Sequence, residues 1–179
     1  MVVDGKLCHG FQGAAGEIGY LPLGRDPFDL GGFRAPFEEA VSGRGVVAEV
    51  DRQLAAGGVS ELGAGSTAAE VFSAASAGDQ VACAAVDRAA RLIATAVAVL
   101  AAVVAPEMVV LGGGIGANEL LLEPVREYVG AITPLPLRVE SSALGPRAGL
   151  IGALALALEA VGKVEPQVLK AGRTTKAGG

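Results

Sequence analysis

The stretch Met108-Val109-Val110-Leu111-Gly112-Gly113-Gly114-Ile115-Gly116 indicates the fold class of this chain. Its four leading apolar residues predict a buried strand, and the glycines that follow predict a tight turn. Asn118 is a suitable N-cap for a helix whose apolar residues recur from Leu121 to Val129. A strand, a glycine turn and a helix in this order are typical of an α/β fold.

The neighbouring residues continue the same alternation. Upstream, Asp79 is predicted to cap a long helix that ends at Pro106, and its apolar face holds Val86, Ile93, Val97, Leu100 and Val104. Downstream, residues 137–140 predict a second strand. Pro146 is predicted to open a final helix over residues 148–161, which is apolar on nearly every side and is therefore expected to be buried.

The first 65 residues are less regular. Asp4-Gly5 lies between short apolar pairs and predicts a hairpin, because both turn residues need a positive φ. Residues 10–65 are rich in glycine, proline and polar residues, with one short helix expected over residues 37–43. Long irregular segments inside a compact domain often supply the residues of a functional site.

Composition excludes several classes of protein. A chain of 179 residues with 51% hydrophobic and 18% charged residues forms a folded domain, and a net charge of −5 gives no general attraction to nucleic acid. The longest apolar run, over residues 92–105, is too short to cross a bilayer. Two distant cysteines, Cys8 and Cys83, favour a reduced cytoplasmic setting in which both act as small apolar fillers. His9, the single histidine, cannot form a metal site alone.

The glycine turn is the first candidate site. Gly112, Gly113 and Gly114 allow backbone N–H groups to approach a ligand closely, and the start of the following helix favours a phosphate or another polar group. The spacing matches neither a phosphate-binding Walker loop nor the dinucleotide fingerprint. Glu140 lies on the next strand, where an acid that binds ribose would lie, so nucleotide contact stays open beside the alternative of a close-packed turn.

Two acidic residues form the second candidate site. Glu17 lies among glycines with Tyr20 close by, and Glu38 lies at the start of the short helix. A carboxylate can accept hydrogen bonds from two neighbouring sugar hydroxyls. Both acids can equally be solvated surface residues, one of them stabilised by the helix dipole. The pattern of residues leaves both interpretations open.

Four segments resemble the carboxy-terminal half of the ROK proteins: residues 13–20 (GAAGEIGY), 109–114 (VVLGGG), 123–126 (EPVR) and 142–153 (SALGPRAGLIGA). That family includes bacterial sugar kinases and sugar-responsive transcriptional repressors, on an actin-like, ribonuclease H-like ATPase fold of two lobes. The resemblance covers residues 1–162. It implies an α/β carboxy-terminal lobe without its amino-terminal partner, made of the loop-rich site segment over residues 10–65 and an α/β core over residues 79–162. Residues 163–179 are expected to be a disordered tail.

The resemblance also implies roles for single residues. Glu17 and Gly19 match the family's sugar-binding Glu-x-Gly-His motif, but Tyr20 stands where the histidine would be. Glu38 matches a second glutamate that contacts the sugar in the family. The cysteines of the family's zinc loop are absent from residues 25–37, so the zinc site is expected to be lost. Packing by three phenylalanines of this region is expected to replace it: Phe28, Phe33 and Phe37.

The family's remaining functional parts are not matched. The segment over residues 112–114 matches the adenosine side of the nucleotide site, but the phosphate motif and the catalytic aspartate find no match. The resemblance therefore implies no catalytic residue in this chain and no required cofactor, with ATP and Mg²⁺ relevant only to a full-length kinase. The expected function is that of the sugar-sensing lobe of a transcriptional regulator, with a small-molecule sugar as its partner. The regulator is expected to be cytoplasmic and homodimeric. This chain is expected to contact neither a membrane nor nucleic acid itself. The alternatives are a fragment of an ATP-dependent, glucokinase-like sugar kinase and an unrelated nucleotide-binding α/β domain.

Overall fold

The computed structural model describes residues 1–24, 26, 28 and 35–161. The chain divides into two units. The smaller unit joins residues 1–16 to residues 144–179, and the larger unit comprises residues 17–143. Both candidate sites lie in the larger unit. The predicted tail over residues 163–179 lies outside the described residues.

The smaller unit contains a hairpin and a helix. Strand β1 (Val2–Val3) pairs antiparallel with β2 (Lys6–Leu7), and the two turn residues between them both have positive φ, which confirms the predicted hairpin. A 3₁₀ turn over Gly145–Arg147 precedes the last helix, which spans Ala148–Ala160. The prediction that this helix is buried is wrong, because none of its residues is buried and Leu150 is 72% exposed. The four strand residues of the hairpin are themselves exposed and are too few to cover a helix of 13 residues.

The larger unit is built around one long helix and a pair of strands. Its elements in chain order are α1 (Pro36–Val41), α2 (Gly43–Ala55), α3 (Ala68–Ser76), α4 (Gln80–Val104), β3 (Met108–Leu111), α5 (Gly113–Gly116), α6 (Glu119–Ile132) and β4 (Arg138–Ser141); the last helix of the chain is α7. Strands β3 and β4 pair in parallel with Val109 opposite Val139. Helix α4 packs against α1, α2, α3 and α6. This order of helices and strands confirms the α/β class.

Helix α4 can pack closely against its neighbours because its buried face carries many small alanine side chains.

The predictions for α4 are confirmed over most of its length. The side chain of Asp79 accepts a hydrogen bond from the Ala82 amide at 2.9 Å, which confirms the predicted N-cap. The first three apolar residues of the predicted face are buried, but Leu100 is only half-buried and Val104 is 42% exposed. The predicted face is therefore correct up to the last two turns of the helix. Among the described residues, no helix is both long enough and apolar enough to span a membrane.

Helix α2 lies within residues 10–65 and was not predicted, because Gly43 and Gly45 weaken the helical pattern at its start. The Ser42 hydroxyl oxygen accepts a hydrogen bond from the Gly45 amide at 3.2 Å and caps the helix. A Cβ at Gly45 would lie 2.1 Å from the carbonyl oxygen of Glu39. Glycine is therefore required here by the close approach of α1 and α2.

Two expectations about side-chain packing need correction. Cys83 is exposed and its thiol donates to the Ala75 carbonyl oxygen at 3.4 Å, so it is not an apolar filler; Cys8 is half-buried. Packing of three phenylalanines in place of a zinc site is also not what the structure shows. Phe37 is buried in the core, Phe28 is 86% exposed, and Phe33 lies outside the described residues.

Candidate functional site

The first candidate site begins at a 3₁₀ turn over Ile18–Tyr20. Glu17 precedes this turn, and its carbonyl oxygen accepts a hydrogen bond from the Tyr20 amide at 3.3 Å. Ile18 and Leu21 pack against the hydrophobic core, and the side chains of Glu17 and Tyr20 are exposed. The apolar residues therefore anchor the turn, while the polar side chains stay accessible to a ligand.

Helix α1 brings Glu38 to the middle of this turn. The side chain of Phe37 on α1 is buried in the core, which fixes the orientation of the helix. Glu38, the next residue, is exposed and lies beside Gly19. A Cβ at Gly19 would lie 3.2 Å from Oε2 of Glu38 and 3.3 Å from its Cβ. The structure thus places Glu38 against the turn that carries Glu17 and Tyr20, although Glu38 lies about 20 positions later in the sequence, and these exposed residues make up the candidate surface.

The two carboxylates on this surface are available to a ligand. Within the described part of the chain, neither Glu17 nor Glu38 forms an ion pair or a side-chain hydrogen bond. An ionised carboxylate accepts hydrogen bonds and has room for two or more donors. Accessible carboxylates with free acceptor capacity suit a ligand that carries several hydroxyl groups.

A buried acid on α2 is linked to Gly24, at the end of the segment over residues 17–24, through Arg88. Glu49 on α2 is the one buried charged side chain among the described residues, at 6% exposure. Its carboxylate accepts from Arg52 Nε and from Gln53 Nε2, each at 2.9 Å, and lies 3.5 Å from Nε of Arg88 on α4. Burial alone would raise the pKa of Glu49, but these hydrogen bonds and the two guanidinium charges hold the pKa below its ordinary value. Nothing in the sequence pattern singled out this cluster.

The glycine segment forms the second candidate site. Gly112 follows β3 as the N-cap of α5, and Gly113 has φ +77°, a conformation that favours glycine. Helix α5 is a single turn, so the predicted tight turn takes the form of a short helix. Asn118 then caps α6, with its side-chain oxygen accepting from the Leu120 amide at 3.0 Å. The predicted cap is confirmed.

A cavity of about 540 Å³ lies between this segment and helix α3. The glycine segment contributes Gly114 and Ile115 to its lining, and α3 contributes Ala69, Phe72 and Ser73. Small residues and one aromatic ring form a mainly apolar wall with a few polar groups, which is typical of sites for small ligands. Gly114 is identifiable from the sequence, but the α3 wall is not, because residues of α3 meet the glycines only in the folded chain.

Glu140 does not have the free carboxylate that a ribose-binding acid needs. Arg126 donates to it at 2.6 Å and also donates to the Val139 carbonyl oxygen at 2.7 Å. Glu123 accepts from the same guanidinium at 2.6 Å. Glu140 therefore fastens β4 to α6, and the interpretation of the glycine turn as a dinucleotide site loses its acidic partner.

The described residues contain no group of three or more His, Cys, Asp or Glu side chains placed to hold a metal ion. Structural zinc sites are made of about four cysteine and histidine ligands. The chain has two cysteines and one histidine, and none of them lies in residues 25–37. The donor set of this chain therefore does not fit a structural zinc site beside Glu38.

Comparison with known proteins gives one consistent result. A family model described as the ROK family matches residues 1–160. A glucokinase of Halalkalibacterium halodurans is 35% identical over 173 residues, which cover 85% of this chain and 50% of that protein. An N-acetylmannosamine kinase of Citrobacter koseri is 35% identical over 160 residues, which cover 88% of this chain and 52% of that protein. The chain spans about half the length of the curated relatives it matches.

Solved structures agree with the sequence matches. A ROK family glucokinase from Streptomyces griseus, in complex with glucose and AMPPNP, matches with a TM-score of 0.72 and 28% identity over 84% of this chain and 54% of that one. A ROK family transcriptional regulator, described as a homologue of the E. coli MLC protein, matches with a TM-score of 0.65 and 23% identity over 78% of this chain and 37% of that one. The second likeness concerns the fold alone. The α/β elements of the chain and these neighbours fit the expected actin-like fold.

Proposed function

The chain belongs to the ROK family, and we propose that it supplies the sugar-binding surface of a ROK protein and has no catalytic activity alone. The ligand is a hexose-type sugar bound by Glu17, Tyr20 and Glu38. The main support is the position of the Glu38 carboxylate against Gly19, in the middle of the turn that bears the other two side chains. The family membership excludes the alternative of an unrelated nucleotide-binding domain.

The chemistry of the surface supports a sugar ligand. Glu17 and Glu38 accept hydrogen bonds from neighbouring hydroxyls, and the Tyr20 hydroxyl can donate or accept. Tyr20 is 64% exposed, so its ring can also cover an apolar face of the sugar. The S. griseus relative was solved with glucose, which makes glucose a suitable first ligand.

We propose further that the whole protein is a sugar-responsive transcriptional regulator. Two features of the sequence support this: Tyr20 replaces the histidine that resemblance leads us to expect, and residues 25–37 lack cysteine. A regulator needs a sugar only to shift a conformational equilibrium, so it tolerates the loss of groups that hold a sugar for reaction. The proposal includes an amino-terminal lobe and a DNA-binding part elsewhere in the whole protein. It also includes the loss of the family's zinc site.

A sugar kinase is the second candidate, and the cavity beside Gly114 favours it. Its volume of about 540 Å³ suits a nucleoside, and the glycine segment removes Cβ atoms from the wall. The named curated relatives are kinases, and the S. griseus relative holds AMPPNP as well as glucose. ATP would supply the phosphoryl group and Mg²⁺ would neutralise its charge. In this candidate, Gly114 and α3 hold the adenosine end of the nucleotide.

Catalysis needs more than the described residues provide. Phosphoryl transfer needs a site that holds the phosphates and the metal ion of the donor, besides a general base for the sugar hydroxyl. The phosphate motif and the catalytic aspartate of the family find no match in this chain, and Asp79 and Asp87 have structural roles as a helix cap and as the partner of Arg91. We therefore expect binding without phosphoryl transfer from the 179-residue chain.

Calorimetric titration with glucose and with N-acetylmannosamine tests the sugar-binding proposal. Glu17→Gln and Glu38→Gln should each weaken binding at least about ten-fold, because each loses a charge-assisted hydrogen bond. The matched control is Glu61→Gln, an exposed acid outside the site, which should bind as the original chain does. Binding that is unchanged in both site variants would contradict the proposal. Phosphorylation of either sugar by the purified chain with ATP and Mg²⁺ would contradict the absence of catalysis.

The assembly and the compartment remain predictions. The family resemblance implies a homodimer, and light scattering of the purified chain measures its mass directly. The cytoplasmic location rests on the two unpaired cysteines and on the resemblance to the family. Fractionation of cells that express the protein tests it.

A further inference from the structure

We propose that Arg88 is a positioning residue of the sugar-binding surface, which it reaches from α4 through a hydrogen bond to the backbone of Gly24. This inference rests on the proposed function for its relevance to binding, but its structural part stands independently. The Arg88 Nη2 donates to the Gly24 carbonyl oxygen at 3.0 Å, across 64 positions of sequence. Gly24 is the last residue of the segment over residues 17–24, which contains Glu17 and Tyr20.

The backbone hydrogen bonds between Glu17 and Gly24 are short-range, although Ile18, Leu21 and Leu23 pack against the core. The amides of Tyr20, Leu21 and Leu23 all donate to carbonyl oxygens two or three residues earlier, at 2.7–3.3 Å. Such turns are stable only when another part of the protein fixes them, because each bond orders few residues. The bond from Arg88 joins this stretch to the longest helix of the larger unit.

Glu49 fixes the direction of the Arg88 side chain. The carboxylate of Glu49 lies 3.5 Å from Nε of Arg88, while Nη2 of the same guanidinium reaches Gly24. Arg52 and Gln53 bind the same carboxylate, so Glu49 is itself held in one position. A planar guanidinium with one edge on a fixed carboxylate presents its other N–H groups in a fixed direction.

The Gly24 backbone also lies close to the helix that bears Glu38. A Cβ at Gly24 would lie 2.5 Å from the Cβ of Ala40, two positions after Glu38 on α1. The hydrogen bond from Arg88 therefore holds Gly24 where it lies against α1. Gly19, nearer the start of the segment, lies against Glu38. Between them, these contacts set the distance between the turn and the Glu38 carboxylate.

Arg91 gives a matched control, because it is also on α4 and has similar bonds but reaches a different part of the protein. It donates to Asp87 at 2.7 Å and to the Tyr128 hydroxyl oxygen on α6 at 2.9 Å. Arg88→Met and Arg91→Met therefore each remove one guanidinium from one helix. A loss of general stability would affect the sugar-binding surface equally in both variants.

The test combines hydrogen exchange of the ligand-free chain with sugar titration. Arg88→Met should speed exchange of the amides in residues 17–24, and should weaken glucose binding about ten-fold, because one lost hydrogen bond of this kind lowers the fraction of molecules with the segment in its binding position by about that factor. Arg91→Met should speed exchange in α6 and leave the glucose affinity within about two-fold. Arg88→Lys keeps a cation beside Glu49, so it should fold even if Arg88→Met does not, and should still speed exchange in residues 17–24.

The two readouts separate this inference from the proposed function. If the original chain binds no sugar, hydrogen exchange of residues 17–24 still shows whether Arg88 orders them. Unchanged exchange in residues 17–24 for both Arg88 variants would overturn the inference. An equal loss of glucose affinity in Arg88→Met and Arg91→Met would also overturn it, because that result indicates a general loss of stability.

Discussion

The hydroxyl of Tyr128 on α6 donates a hydrogen bond to the carboxylate of Asp87 on α4, 41 positions earlier in the chain. Arg91 completes the cluster, with its Nε 2.7 Å from Asp87 and its Cζ 4.3 Å from the centre of the Tyr128 ring. The hydrogen bond to Asp87, aided by burial, raises the pKa of the Tyr128 hydroxyl. These three side chains fasten α6, which also packs on β4, to the central helix.

Tyr128→Phe should lower the free energy of unfolding, because Asp87 loses a hydrogen-bond donor while the ring packing is kept. Denaturant unfolding measures the change. Tyr20→Phe is the control, since Tyr20 is 64% exposed and no side-chain bond of its hydroxyl is found within the described residues. An equal effect of the two substitutions would show that the bond between Tyr128 and Asp87 contributes nothing specific.

Glu49→Gln should reduce the acid sensitivity of the protein. Burial acts to raise the pKa of Glu49, but hydrogen bonds from Arg52 and Gln53 and the nearby charges lower it below the ordinary value of 4.5. The unfolded chain therefore binds this proton more readily than the folded chain. The stabilisation is present above about pH 4.5 and is lost as the pH falls through the lower pKa of the folded state.

Unfolding free energies of both chains at about pH 7 and about pH 3.5 test this prediction. The original chain should lose more stability between the two values than Glu49→Gln does. Glu61→Gln is the control and should keep the acid sensitivity of the original chain, because Glu61 is exposed. A Glu49→Gln variant with unchanged acid sensitivity would show that other groups cause it.

Patterns of neighbouring residues were sufficient to predict most elements of the core. The strand Met108–Leu111, the cap at Asp79 and the cap at Asn118 depend on a few consecutive residues, and all three are confirmed. Helix α2 was missed, because Gly43 and Gly45 are poor helix formers and the second is required by a contact with Glu39 that only the folded chain shows.

Long-range contacts limit what the sequence could reveal about the sites. Glu17, Tyr20 and Glu38 were found through the family resemblance, but their approach through Gly19 depends on how α1 packs. Nothing in the sequence around Arg88 indicates that its partners are Glu49 and Gly24. The apolar pattern of α7 likewise predicted burial, but how much of a helix is covered depends on the elements packed on it.

Gly19→Ala should weaken sugar binding with little loss of stability. The new Cβ would lie 3.2 Å from Oε2 of Glu38 and 3.3 Å from its Cβ, so Glu38 must shift by a few tenths of an ångström. Because the proposed site uses the Glu38 carboxylate in a hydrogen bond to the sugar, we expect an affinity for glucose up to about ten-fold lower. Gly63→Ala is the control, since a Cβ there meets no atom within 4 Å. Equal affinity of the two variants would contradict the proposed role of Glu38.

Gly114→Leu should abolish nucleotide binding if the cavity beside α3 takes the adenosine end of a nucleotide. Gly114 lines this cavity, and a Cβ there meets no protein atom within 4 Å, so the backbone has room for the first atom of a side chain that would narrow the cavity. Gly130→Leu on α6 is the control, because Gly130 also has free space around it but lies outside the cavity.

Titration with AMPPNP distinguishes the two candidates for the whole protein. Binding by the original chain and by Gly130→Leu, with none by Gly114→Leu, would favour a sugar kinase, because a phosphoryl donor is needed only for transfer. No binding by any of the three chains would favour a regulator, which needs the sugar alone.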